Sequence, residues 1–192
     1  MNTIELLKSK RTFRRYIQEK KIDESIINEM KESVRYISSA ANLQPLRYIF
    51  VTSEEKVEEL FPHTKWAARL PKELGTPKDG EKPVAYVVIY CAKNDFTPFT
   101  NYDVGLAMAN LTTAAWAHGV GNCIFKSYTK DAIKSVCGLS NDDELCAVIS
   151  FGYPSHKSTV VDIIDNDVAY SLDDNKDYIV PKRLIADIIK DI

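Results

Sequence analysis

A chain of 192 residues is long enough for one sizeable core and short for two, so a single domain over residues 1–192 is expected. Its hydrophobic content of 45% and charged content of 27% are those of an ordinary soluble globular protein, and a net charge of −2 supplies no field to favour nucleic acid or an anionic membrane. No apolar run reaches membrane length and the N-terminus has no apolar signal core; the cysteines and histidines stand singly, without metal-ligand spacing, so buried thiols in a cytoplasmic protein and no metal are expected.

In chain order, residues 3–9 predict a short helix ending in the basic cluster Lys10-Arg11-Thr12-Phe13-Arg14-Arg15-Tyr16. Asp23 then caps a helix in which Ile26, Ile27, Met30 and Val34 recur at helical spacing. It runs out in Ser38-Ser39-Ala40-Ala41-Asn42, and Pro45 blocks any continuation. Residues 48–51 predict a strand, and Ser53 opens another short helix. From Phe61 to Pro83, four prolines, two glycines and Trp66 mark a long excursion with room for one helix. Excursions of that length often act as lids, which makes Trp66 the candidate to face a substrate; a plain surface anchor is the alternative.

Residues 85–91, AYVVIYC, are apolar on both alternating faces and predict a central strand covered on two sides. Residues 100–119 predict the central helix. Thr100 and Asp103 have capping-box spacing, Gly119 suits the end, and apolar and small residues cover most of the circumference, so burial on nearly all sides is expected. A strand over 122–125, a helix over 129–137 and a strand over 145–151 follow, the last stopped by Gly152-Tyr153-Pro154. An Asp-rich, weakly structured segment over 162–177 leads to Pro181-Lys182-Arg183 and a terminal amphipathic helix. No G-x-G-x-x-G follows a strand, and neither a G-x-S-x-G elbow nor a P-loop is present, so a Rossmann nucleotide site has no support.

Three clusters could carry chemistry. The guanidinium and hydroxyl groups of Lys10-Arg11-Thr12-x-Arg14 suit a phosphate, although alone such a cluster is more often a solvated helix end. Ser38-Ser39-Ala40-x-Asn42-x-Gln44 offers donors and acceptors to the polar edge of a planar heterocycle, and alone reads as a helix terminus. Lys182-Arg183 alone reads as the basic first turn of a surface helix.

Together and in this order they resemble the nitroreductase family, small flavoproteins that bind FMN at a homodimer interface. Arg11-Thr12-Phe13-Arg14-Arg15-Tyr16 is similar to the family's R-S-x-R-x-F/Y opening, with Thr for Ser. Ser38 to Leu46 is similar to P-S-x-x-N-x-Q-P-W, with Ser for Pro and Leu for Trp. Asp103, Gly105, Ala107, Asn110, Ala114, Ala115, Gly119 and Gly121 match the central-helix pattern, and Gly152-Tyr153-Pro154 ends the last strand as in many members. The resemblance implies an α+β, nitroreductase-like three-layer sandwich: a central, mostly antiparallel sheet flanked by helices, with a buried central helix, in an intertwined homodimer. It implies that Lys10, Arg11, Thr12 and Arg14 hold the FMN phosphate and ribityl chain. Ser38, Ser39, Ala40, Asn42 and Gln44 would approach the flavin from the partner subunit. Ile124, Phe125, Lys126 and Ser127 would line the ring, and Lys182 and Arg183 would reach the phosphate. Lys126-Ser127 stands where some members carry an acidic residue and glycine. The implied activity is FMN-dependent NAD(P)H oxidoreduction toward a nitroaromatic, a quinone or a similar small acceptor, with no catalytic side chain because the flavin carries the chemistry. The alternatives are a flavin-binding redox sensor with little turnover, or a specialised dehalogenating or flavin-consuming member.

Overall fold

The computed structural model describes residues 2–192. Strands β1 (Arg47–Val51), β2 (Ala85–Ala92), β3 (Gly121–Phe125) and β4 (Asp143–Gly152) form an antiparallel sheet in the order β1-β2-β4-β3. The two inner strands are apolar on both alternating faces, and the structure uses both. Val87, Ile89, Cys91, Ala147 and Ile149 enter one core; Tyr86, Val88, Leu145 and Val148 enter the other. Helices α2 (Glu24–Ser33) and α5 (Thr100–Ala117) cover the first face, and α3 (Glu54–Leu60) and α6 (Lys130–Val136) the second, which makes a three-layer α+β sandwich. Truncating a fully buried side chain such as Ile149 to Ala in such a core costs about 2–5 kcal/mol. Helix α1 (Thr3–Ser9) lies along α5, and α4 (Lys72–Gly75) is a single turn within the excursion.

Helix α5 differs from expectation at two points. Its capping box does not form: Thr100 is already inside the helix, where its hydroxyl accepts from the Thr97 amide (2.9 Å), and Asp103 turns to another partner described below. Burial within one chain is also confined to one stripe, including Val104, Ala107, Leu111 and Ala115; Tyr102 (71% exposed), Gly105, Leu106 and Ala109 face outward. A helix that is apolar nearly all round leaves an apolar flank wherever the sheet does not reach. Gly119 does end the turn, at φ 74°.

The C-terminal region is more ordered than its composition suggests. Strands β5 (Ser158–Asp162), β6 (Ser171–Leu172) and β7 (Tyr178–Lys182) make a second sheet in the order β5-β7-β6, with β5 parallel to β7. Pro181 is tolerated in β7 because β6 pairs only with Tyr178 and Ile179, leaving that side of Pro181 without a ladder. The expected terminal helix shrinks to one turn, α7 (Ile185–Ile188), since Pro181 and Lys182 are spent in the strand.

Candidate functional site

The basic arm that follows α1 is seated on two glycines. Gly121 and Gly152 are register partners on β3 and β4, and a methyl group on either would collide with the arm. A Cβ on Gly121 would lie 2.7 Å from Phe13 and from Pro154, and one on Gly152 would lie 2.9 Å from the Tyr16 ring. Over this seat the Phe13 amide donates to the Asn122 carbonyl (2.8 Å), and the Phe13 ring stacks on Trp116 (5.0 Å between centroids). The buried Tyr16 hydroxyl donates to the Phe13 carbonyl (2.7 Å) and meets Ser150 Oγ (2.9 Å). Further amides of the arm bond to Glu81 and Tyr153, so the arm is fixed between the sheet edge and the end of the excursion.

The cations on this arm are unneutralised. Among the described residues, no carboxylate pairs with Lys10, Arg11, Arg14 or Arg15. Lys10 Nζ donates to the hydroxyls of Thr112 (3.1 Å) and Thr113 (2.8 Å), and burial, then the adjacent Arg11 charge, holds its pKa below the ordinary lysine value. Thr12 is exposed and bridges Asn122 in parallel. The Arg14 guanidinium lies against the rings of Tyr170 (4.7 Å) and Tyr178 (5.0 Å), with its Nε buried and no acceptor for it. Arg14 also faces the Cys123 thiol, whose pKa burial pushes up to about 11 while Arg14 pulls the other way. A group of cations left without counter-charge on an ordered backbone is the donor set that an anion such as a phosphate requires.

The Ser38–Gln44 segment is held by Asp103, which the first turn of α5 buries. Ser39 Oγ donates to one carboxylate oxygen (2.5 Å) and the Ala40 amide to the other (3.2 Å), while the Gln44 amide donates to Ser39 Oγ (3.0 Å). Ala41, Asn42 and Gln44 all take left-handed backbone conformations, at φ 49°, 55° and 50°. Ser39 and Ala40 therefore spend polar groups on shaping the loop, whereas Ser38 and Asn42 are exposed at its surface. Asp103 precedes Thr112 by nine helical residues, about 14 Å along the axis. Within one chain, this segment and the arm thus sit toward opposite ends of α5.

The remaining candidates divide. Ile124 is exposed at the end of β3, Lys126 Nζ donates to the Cys146 carbonyl (2.8 Å), and the Ser127 carbonyl accepts from the Lys65 amide (3.0 Å). Phe125 turns into the second core, so only its backbone can face a ligand. Trp66 does not face an entering molecule within this chain: it is buried with Tyr16, Phe61 and Phe125, 4.7 Å from the last in an edge contact, because the excursion folds back through a Thr64–Tyr128 bridge. Lys182 and Arg183 are exposed at the far end of β7, about 13 Å along the strand from Tyr178, and Arg183 donates to Asn166 Oδ1 (2.9 Å) rather than joining the arm.

Sequence reasoning missed the residues that grip the arm from the C-terminal side. The Arg14 amide donates to His156 Nε2 (3.0 Å), the Ser155 amide to the Arg15 carbonyl (3.1 Å), and the Arg15 guanidinium to the Lys176 carbonyl. A histidine two residues after Gly-Tyr-Pro was a usable signal for His156; Tyr170 and Tyr178 had none, being brought in by long-range packing. No helix among the described residues is long and apolar enough to cross a membrane, and no group of side chains among them could hold a metal ion.

A helix-flanked antiparallel sheet with an uncompensated cationic arm on its edge defines the α+β class of this protein. The nitroreductase family model matches residues 7–153, and the chain belongs to that family. The solved structures that share the fold include an FMN-dependent nitroreductase from Clostridium difficile R20291 (16% identity, TM-score 0.68, covering 82% of this chain and 90% of that one). Another is a protein described as a nitroreductase, in complex with FMN, from Exiguobacterium sibiricum 255-15 (20%, TM-score 0.67, 88% and 96%). A third is a variant of an FMN- and NADPH-dependent nitroreductase from Sphigopyxis sp. strain HMH (16%, TM-score 0.64, 81% and 89%).

Proposed function

We propose that this protein is an FMN-dependent oxidoreductase that draws electrons from NAD(P)H and passes them to a small acceptor such as a nitroaromatic or a quinone. The observation that carries the reading is the arm: Lys10, Arg11 and Arg14 sit on a segment fixed by the sheet and α5 yet carry no counter-charge among the described residues, and the orphaned Nε of Arg14 is buried beside them. This donor set fits the phosphate of FMN, with the Thr12 hydroxyl and the amides near it reaching the ribityl chain. When bound, FMN would supply the two-electron chemistry, accepting hydride from NAD(P)H and releasing electrons to the acceptor.

The chain's own part is to bind, orient and shield. Ile124 and the backbone of 125–127 offer an apolar and polar edge beside β3, and the Lys126 ammonium, whose partner among the described residues is a neutral carbonyl, leaves a positive charge there. The exposed Ser38 and Asn42 lie too far along α5 to join the same chain's arm, which supports a site completed by the Ser38–Gln44 segment of a second copy. The apolar outer flank of α5, with Tyr102 and Leu106, and the exposed Ile4 and Leu7 of α1 support the homodimer that this requires. Lys182 and Arg183 would join the phosphate only from a second copy or after rearrangement of β7.

Two measurements test the reading. Purified protein is expected to be yellow, and anaerobic NADH or NADPH should bleach it rapidly; a flavin that neither nucleotide bleaches would leave a flavin-binding sensor instead. In titrations of apo-protein, Arg14→Ala should weaken FMN by roughly one to two decades, the cost of about 1.5–3 kcal/mol for losing a charged hydrogen-bond partner. Unchanged affinity would remove Arg14 from the site.

A further inference from the structure

We propose that the C-terminal sheet is part of the cofactor site, with Tyr170 and Tyr178 acting as positioning residues that hold the Arg14 guanidinium ready for the phosphate of FMN. This inference rests on the reading above, and concerns residues beyond 153, where the match to the family ends.

The two ring centroids are 5.8 Å apart and inclined at 49°, and the guanidinium carbon lies 4.7 Å from one and 5.0 Å from the other. An arginine side chain otherwise has several rotatable bonds, and ordering it costs up to about 2 kcal/mol of rotamer entropy. Here that cost is met before any ligand arrives. The rings neutralise none of the charge: both pack against the guanidinium from one side, and its side-chain donors find no oxygen acceptor among the described residues, facing only the Cys123 sulfur, a weak acceptor. The backbone around it is pinned from the same unit by His156, Ser155 and the Lys176 carbonyl, so neither the main chain nor the side chain of Arg14 has to be ordered on binding. Tyr178 is fully buried and also packs on His156 (4.9 Å), whereas Tyr170 is half-buried and open to substitution.

The test is a double-mutant cycle read as FMN affinity of apo-protein by flavin fluorescence, with thermal unfolding as the control for folding. Tyr170→Ala should weaken FMN about threefold to thirtyfold, the range of a partly desolvated cation–π contact. Tyr170→Phe, which keeps the ring face, should stay within about twofold of wild type. In the Arg14→Ala background Tyr170→Ala should cost nothing more, and affinity for riboflavin, which lacks the phosphate, should change little in either. Should Tyr170→Ala not fold, Tyr170→Leu keeps apolar volume without a π face and carries the same expectations. Unchanged FMN affinity in Tyr170→Ala, an equal loss with Arg14 already removed, or a Phe variant as weak as the Ala variant would overturn the positioning role while leaving FMN binding intact. Tighter binding in Tyr170→Ala would also overturn it, by showing that the rings compete with the anion for Arg14. Wild-type protein that binds no FMN would overturn both this inference and the reading beneath it.

Discussion

His156 is held as a neutral imidazole by its two partners. Its Nε2 accepts from the Arg14 amide, so the proton lies on Nδ1, which donates to the Lys157 carbonyl (2.8 Å). Burial is the main reason its pKa falls to about 4; Arg15 and Arg14 push the same way, against the Lys157 carbonyl and Asp177. A histidine with a depressed folded-state pKa binds fewer protons than the unfolded chain between about pH 6.5 and pH 4. Its stabilising contribution is therefore complete above that window and is lost as the pH falls through it. Between pH 7 and pH 5 the loss from this one group should be of the order of 1–2 kcal/mol. Urea unfolding of wild type and His156→Gln at the two pH values checks this, since the variant should lose less stability on acidification. Equal losses would mean that His156 titrates normally in the folded protein.

At the scale of elements, the arm depends on what β3 and β4 lack. Gly152→Ala would press a methyl into the fully buried Tyr16, and Gly121→Ala would press one into Phe13 and Pro154, each with an overpacking cost of about 1–3 kcal/mol. Both variants should unfold several degrees lower, at about 2–4 °C per kcal/mol for a chain of this size, and both should bind FMN more weakly because the arm moves. The loop at the other end of α5 has its own dependence. Asp103→Ala strands Ser39 Oγ and the Ala40 amide, at about 1.5–3 kcal/mol, and amide exchange at Ala40 should accelerate. Much of this was legible in the chain: β2 from its two-sided apolar run, the later part of β4 from a run stopped by Gly152-Tyr153-Pro154, the arm and the serine segment from their motifs, and Gly119 from its position at a helix end. The purposes of Gly121 and Asp103 were not, since a glycine's need for space is set by a ring more than a hundred residues away. The second sheet escaped notice because β5 and β7 are five-residue strands whose parallel pairing spans the Asp-rich stretch, leaving no local pattern to read.

For the whole molecule, the placement of the two site segments toward opposite ends of α5 makes a definite prediction about assembly. Arg14→Glu and Asn42→Trp should each abolish FMN binding in their own homodimers. A mixed dimer would gather both lesions in one site and leave the other intact, so random mixing should restore roughly a quarter of all sites. A verified mixed dimer that recovers none would mean that each chain builds its site alone; sedimentation at micromolar concentration should show the dimer directly. The long reach between the arm and its C-terminal grip also has a consequence during synthesis. The arm leaves the ribosome well before its grip, since His156, Lys176 and Tyr178 follow some 140–165 residues later. At about 5–20 residues per second, the nascent arm waits roughly 10–30 s without this grip. Nascent chains stalled before residue 154 should therefore fail to retain FMN, so that any loading of the cofactor waits on the synthesis of a segment far removed from the arm that would hold it.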